Sequence, residues 1–182
     1  MPVPTILTLL AEGFEEIEAL APIDLLRRAG AKVTTAALSE GIHVTGRSGI
    51  TVHADTTLAA VQLGGPWECL FLPGGPGVRI LRADPRVAAL ARAQWESGRW
   101  LAAICAAPAV LHDAGLLAGR RYTGHFSIAQ EVPDLLLDQR TVADGRLLTA
   151  RGAGTAIDMG LLLVEKLFSV GRAREIAESI CA

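Results

Sequence analysis

The chain has 182 residues, 51% of them apolar and 20% charged, with a formal net charge of −2. This composition excludes a disordered chain, and the length suits a single domain over residues 1–182 with a substantial core. No basic run supports nucleic-acid binding, and no apolar run reaches the ~20 residues that span a membrane.

The first residues lack the charged start and long apolar stretch of an export signal, so the expected compartment is the cytoplasm. Cys69, Cys105 and Cys181 are widely spaced and odd in number, which argues against a disulfide framework. No metal-ligand spacing occurs among cysteines, histidines or carboxylates, so no metal or other cofactor is expected.

In chain order, residues 5–10 form a short apolar run, the pattern of a buried strand. Residues 15–29 carry Ile17, Leu20, Ala21, Leu25 and Leu26 at helical spacing, and Gly30 stops the helix. Of these, Ile17 and Leu20 are expected to point at the core. Residues 32–38 read as the second strand, residues 50–52 as a short one, and Asp55 as the N-cap of a brief helix. Residues 69–72 form a strand ending at Pro73-Gly74-Gly75, and Pro85 opens a helix reaching about Ser97. Residues 100–104 form a strand, followed at once by Cys105 and a helix over 107–112. A strand is expected near 122–123, before Gly124-His125. Residues 141–143 and 147–150 flank Asp144-Gly145 as a hairpin, and residues 156–168 and 172–180 read as helices.

Buried strands alternating with helices indicate a mostly parallel sheet covered on both faces, a three-layer α/β/α sandwich. In such sheets ligands bind beyond the carboxyl ends of the strands. The acidic cluster Glu15, Glu16 and Glu18, the pair Gly74-Gly75, Cys105, His125, and Arg151-Gly152-Ala153-Gly154 all fall on that rim.

Cys105 stands where a buried strand turns directly into a helix, the arrangement of a nucleophile elbow with thiol in place of hydroxyl. The start of the following helix is expected to favour thiolate. Position alone leaves a buried structural cysteine equally open. Glu18, buried over the strand ends, is a candidate hydrogen-bond donor to that thiolate, although spacing alone favours an ordinary acidic first turn. Backbone N–H groups of Gly75 and Ala106 are candidates for an oxyanion hole, and His125 for an acid, base or thiolate partner. Ser127 and Ser48 show no base partner, which disfavours a serine triad.

Several stretches, taken in order, carry a resemblance. They are Glu12-Gly13-Phe14-Glu15-Glu16-Ile17-Glu18 with Pro22 to Gly30, Leu72-Pro73-Gly74-Gly75, Ala103-Ile104-Cys105-Ala106-Ala107-Pro108, and Arg151-Gly152-Ala153-Gly154-Thr155. Together they resemble the ThiJ/PfpI superfamily, and within it the Parkinsonism-associated deglycase, glyoxalase III-like branch. The resemblance implies a flavodoxin-like sandwich, related to class I glutamine amidotransferase domains, and a homodimer. It implies Cys105 as nucleophile, Glu18 as the protonated carboxyl beside it, Gly75 and Ala106 as backbone donors, and His125 near the sulfur. Gly74, Gly152 and Gly154 would line the pocket. Glu15, Arg27, Arg28, Arg47 and His53 would lie at or near the dimer interface.

The protease-like branch carries histidine directly after the nucleophile; here Ala106 stands there, which disfavours peptide or amide hydrolysis. Phe126 follows His125 where the close branch commonly has proline. The implied activity is cofactor-independent chemistry on methylglyoxal, glyoxal or their glycated adducts in stress protection. A cysteine-based oxidative-stress sensor or chaperone is the alternative.

Overall fold

The computed structural model describes residues 2–62 and 64–182. The chain runs β1 (Thr5–Leu10), α1 (Glu16–Ala29), β2 (Lys32–Ala37), β3 (His43–Thr45), β4 (Thr51–His53), β5 (Thr56–Thr57) and β6 (Cys69–Leu72). It continues through α2 (Val78–Ala83), α3 (Pro85–Glu96), β7 (Trp100–Ile104), α4 (Pro108–Asp113), β8 (Thr141–Asp144), β9 (Leu147–Ala150), α5 (Ala156–Leu167) and α6 (Val170–Ser179).

Seven strands form one sheet in the order β5-β2-β1-β6-β7-β9-β8, with only the β8–β9 hairpin antiparallel. β3 and β4 make a separate antiparallel ribbon. Each central strand alternates its side chains between two cores. Leu7, Leu9, Leu70, Leu72 and Leu101 pack with Val78, Leu90 and Val110 of α2, α3 and α4 on one face. Ile6, Phe71, Ile104 and Leu148 pack with Leu26 of α1, Met159 and Leu163 of α5, and Ile176 of α6 on the other. Burial on both faces explains why these strands are nearly continuous apolar runs. The expected three-layer sandwich is the fold.

Register brings the strand ends together. Leu72 pairs with Ala103, and Ile104 with Ala150. The loops after β1, β6, β7 and β9 therefore emerge along one edge.

The expectations differ from the structure at several places. Ile17 and Leu20 do not face the core; they are 54% and 38% exposed, while Glu16 and Glu18 are buried. α1 is rotated so that Pro22, Ile23 and Leu26 meet α5, where Gly160 admits Pro22 and Leu25 at close range. Asp55 caps no helix. Its carboxylate accepts the Thr35 N–H and hydroxyl, both at 2.8 Å, and the chain next forms a 3₁₀ turn at Leu58–Ala60, capped by no side chain. No strand forms at Tyr122-Thr123, because the Thr123 N–H goes to the Thr149 hydroxyl (2.9 Å) and not to a strand backbone.

Candidate active site

Cys105 follows β7 with φ of +64°, a left-handed conformation rare for a residue with a side chain. Two backbone bonds hold it there. Its N–H donates to the Ala150 carbonyl at 2.9 Å, and its carbonyl accepts from the His125 N–H at 2.7 Å. The second bond keeps His125 on the rim even though no strand precedes it.

Glu18 approaches from the first turns of α1. Glu15 is the N-cap, its carboxylate accepting the Glu18 N–H at 2.8 Å. Pro22 has no N–H to give the Glu18 carbonyl four residues back, which leaves that helical bond unmade. The Glu18 side chain lies against Cys105 because Gly74 leaves room. A Cβ at Gly74 would strike the Glu18 carboxylate and lie 2.5 Å from Cys105 Cβ. Gly75 has φ of +93°, and a Cβ there would lie 2.6 Å from the Glu15 nitrogen. The glycine pair is thus required by close approach at one residue and by backbone conformation at the other.

Two buried carboxyls on the same helix are shifted in opposite directions. Glu16 accepts the Ser48 N–H at 2.7 Å. Burial raises its pKa, but the donors around Ser48 and Ile50 outweigh burial and hold it below the ordinary value. Glu18 is 1% exposed. Burial is the largest influence and pushes it up to about 7, opposed by the Cys105 thiol and by backbone at Gly74 and Ala153, and aided by the Glu15 charge. Its Oε2 is buried without a well-formed hydrogen bond. The neighbouring donors therefore offset only part of the desolvation.

The Cys105 thiol is pushed up to about 12, first by burial, then by the charge of Glu18 and its hydrogen bond with that group. Backbone N–H groups of Gly75 and Ala106 act the other way, favouring thiolate. This corrects the expectation of a thiol made acidic by the helix start. α4 begins only at Pro108 and is short, and burial beside a carboxylate outweighs it. Cys105 and Glu18 share their proton supply: thiolate is favoured when the carboxyl carries the proton.

The His125 ring accepts the Ser127 N–H at its Nδ1 (3.2 Å), and the Ser127 hydroxyl lies 2.8 Å from the same nitrogen. Ser127 thus has an imidazole partner, against the expectation. In the neutral ring this leaves the proton on Nε2. A Cβ on Gly152 would lie 3.6 Å from His125 Cδ2, 3.6 Å from Glu18 Oε1 and 3.9 Å from Cys105 Sγ, so Gly152 sits among the three groups.

A cleft of about 370 Å³ opens over the thiol, lined by Glu15, Glu18, Arg47, Gly75, Arg79, Cys105, Ala106, His125 and others. A second cavity, of about 420 Å³, adjoins it at His125 and Ala153 and contains Gly152, Gly154, Arg140 and Arg151. Gly74 lies behind the cleft wall, and Gly154 belongs to the neighbouring cavity. Of the residues expected near an interface, Glu15 and Arg47 line the cleft. Arg27 pairs with Asp55 at 3.2 Å, Arg28 with Asp24 at 2.7 Å, and the His53 ring meets His43 edge-on at 4.3 Å. Arg79 was not singled out from sequence; the Gly-rich turn before it hides which way α2 points. Among the described residues, no group of three or more His, Cys, Asp or Glu side chains is placed to hold a metal ion.

A parallel α/β sandwich with a thiol on a left-handed strand-to-helix turn, facing a buried carboxyl, defines a class of proteins that carry a cysteine at the carboxyl rim of the sheet. Residues 4–166 match the DJ-1/PfpI family, and the chain belongs to that family. It is 36% identical over 178 residues to protein dj-1beta of Drosophila melanogaster, covering 96% of this chain and 95% of that one. It is 32% identical over 152 residues to deglycase TK1284 of Thermococcus kodakarensis, covering 82% and 90%. The structure of Toxoplasma gondii DJ-1, described as oxidized, superposes with a TM-score of 0.93 at 33% identity, covering 98% of each chain.

Proposed function

We propose that the protein is a cofactor-independent cysteine enzyme acting on small 2-oxoaldehydes such as methylglyoxal and glyoxal, or on their glycated adducts. The observation that carries this reading is the Cys105–Glu18 pair: a half-buried thiol against a carboxyl that changes state near neutral pH. The deglycase name of the Thermococcus relative supports it.

In the reaction, the sulfur attacks the aldehyde carbon while its proton passes by way of Glu18 to the aldehyde oxygen, giving a hemithioacetal and leaving Glu18 free to take the next proton. N–H groups of Gly75 and Ala106 face the developing charge. Glu18 moves a proton from the former aldehyde carbon to the neighbouring carbonyl carbon through an enediol. The first carbon is thereby oxidised to a thioester and the second reduced to an alcohol. Water cleaves the thioester, releasing a 2-hydroxy acid and the thiol. With a glycated adduct, the bound amine leaves in the same sequence. His125, its Nδ1 turned to Ser127, lines the cleft beside the thiol.

The test is lactate production from methylglyoxal by the full chain in the presence of a metal chelator. Cys105→Ser is expected to abolish it, and Glu18→Gln to lower kcat/KM by about 10²–10⁴-fold. Full lactate production by Cys105→Ser would overturn the reading.

A second reading has its own support. The Toxoplasma structure is described as oxidized, and Glu18 in its protonated form is placed to hydrogen-bond a cysteine sulfinate. After mild peroxide, oxidation concentrated on Cys105 favours a sensor; even oxidation of Cys69, Cys105 and Cys181 opposes it. We place the protein in the cytoplasm, where its unpaired thiols remain reduced, and assign it as a homodimer.

A further inference from the structure

The cleft over Cys105 holds more charge than an uncharged three-carbon aldehyde uses. Two guanidinium side chains, Arg47 and Arg79, line it together with the thiol. Neither forms an ion pair or donates a side-chain hydrogen bond among the described residues. By contrast Arg27, Arg28, Arg82, Arg86, Arg140 and Arg172 all have carboxylate partners.

Both residues sit on backbone that is tied down around the loop after β1. The Arg47 N–H donates to the Phe14 carbonyl at 2.9 Å. Arg79 lies in the first turn of α2, where the Gly77 N–H donates to the Gly13 carbonyl at 3.0 Å and the Val78 N–H to the Gly75 carbonyl at 3.1 Å. Their side chains are exposed, so a ligand reaches them without opening the core.

The carboxyls in the cleft do not answer this charge. Glu15 already accepts the Glu18 N–H with one oxygen, and Glu18 is buried against the sulfur. A guanidinium presents a planar fork of donors that matches a carboxylate or phosphate with two parallel hydrogen bonds. Two such forks in one cleft, neither with a carboxylate partner, offer donors that an anion lying between them would fill.

We propose that this cleft selects 2-oxoaldehydes carrying a terminal carboxylate or phosphate, which Arg79, with Arg47, holds so that the aldehyde end is directed to Cys105. The proposal rests on the aldehyde reading for its chemistry and adds the substrate class. A carboxylate example is 4,5-dioxopentanoate. Addition of Cys105, the internal proton shift and hydrolysis by one water convert it to 2-hydroxypentanedioate. The aldehyde carbon is oxidised, the ketone carbon is reduced, and no external oxidant takes part.

Three substrates separate the possibilities: 4,5-dioxopentanoate for carboxylate, 3-phosphooxy-2-oxopropanal for phosphate, and 2-oxopentanal as a neutral control. The full chain is expected to favour at least one anionic substrate over 2-oxopentanal by about tenfold or more in kcat/KM. Arg79→Gln should bring that ratio to within about threefold, and Arg79→Lys should restore part of it. The ratio is the readout, so a general loss of activity does not imitate the effect. A wild-type ratio near one, or a tenfold preference that survives Arg79→Gln, overturns the proposal.

Failure to turn over any of the three would count against the aldehyde chemistry. The anion site is read separately, from alkylation of Cys105 by neutral iodoacetamide, followed on the Cys105 peptide by mass spectrometry. Succinate or inorganic phosphate is expected to protect Cys105 in the wild type and not in Arg79→Gln. Equal alkylation with and without these anions overturns the site whatever the turnover.

Discussion

Glu18 has two neighbours on its own helix that are also acidic, and its state follows from what each faces. Glu15 caps the helix and Glu16 meets the Ser48 N–H, whereas Glu18 meets a thiol in a buried corner. A carboxyl raised from 4.5 to about 7 binds its proton more tightly in the folded chain than in the unfolded one. Its contribution to stability is therefore fully present below about pH 4.5 and is lost as pH rises through about 7. The difference is about 3 kcal/mol, at 1.4 kcal/mol per unit. Glu18→Gln keeps the neutral shape and has no proton to lose. Urea unfolding at pH 5 and pH 8 should show the wild type falling by about that amount relative to Glu18→Gln. A gap between the two proteins that does not change with pH would mean that Glu18 is ionised throughout. In catalysis the same proton has the opposite use: kcat/KM should rise with pH through about 7, as Glu18 becomes free to take the thiol proton.

The elements carry this pair through packing that is only partly legible along the chain. β1, β6, β7 and β9 are evident as apolar runs because both of their faces are covered, and the rim they define locates Cys105 and Gly74-Gly75. The orientation of α1 is not evident. Its exposed Ile17 and Leu20 and buried Glu16 and Glu18 invert the usual pattern, because the partners of the two carboxyls, Ser48 and Cys105, come from distant segments. The His125–Ser127 contact depends on a 3₁₀ turn, and the free guanidinium of Arg79 on the direction of α2; neither has a periodic signature. What sets the position of α1 is its contact with α5. A Cβ on Gly160 would lie 2.6 Å from Leu25 Cδ1 and 3.1 Å from Pro22 Cα. Gly160→Ala returns about 1 kcal/mol of helix propensity, but overpacking costs about 1–3 kcal/mol. The expected outcome is a net loss of about 1 kcal/mol in denaturant unfolding with a lower kcat, because α1 moves with Glu18 on it. A variant more stable than wild type, with full activity, would show that the contact yields freely.

At the scale of the whole molecule, the apolar residues that α1 does not bury offer a face on which the proposed homodimer can be tested. Ile17 and Leu20 lie on α1, and Ile50, 54% exposed, lies on the loop that Glu16 anchors through the Ser48 N–H. The same loop carries Arg47, and the same helix end carries Glu15, so the wall of the Cys105 cleft adjoins this apolar corner. A two-fold dimer would bury such a face against its own copy and would enclose the cleft from one side. Sedimentation of the wild type at micromolar concentration should accordingly give twice the chain mass. Ile17→Lys combined with Leu20→Lys places two charges on an exposed helical face. It should leave the monomer folded by circular dichroism, shift the mass to that of one chain, and lower kcat/KM through the loosened cleft wall. A wild-type monomer, or a double variant that still sediments as a dimer, would remove α1 from the interface. If the charged monomer kept full activity, the cleft would be complete within one chain, and the anion selectivity assigned to Arg79 would then be a property of the single subunit.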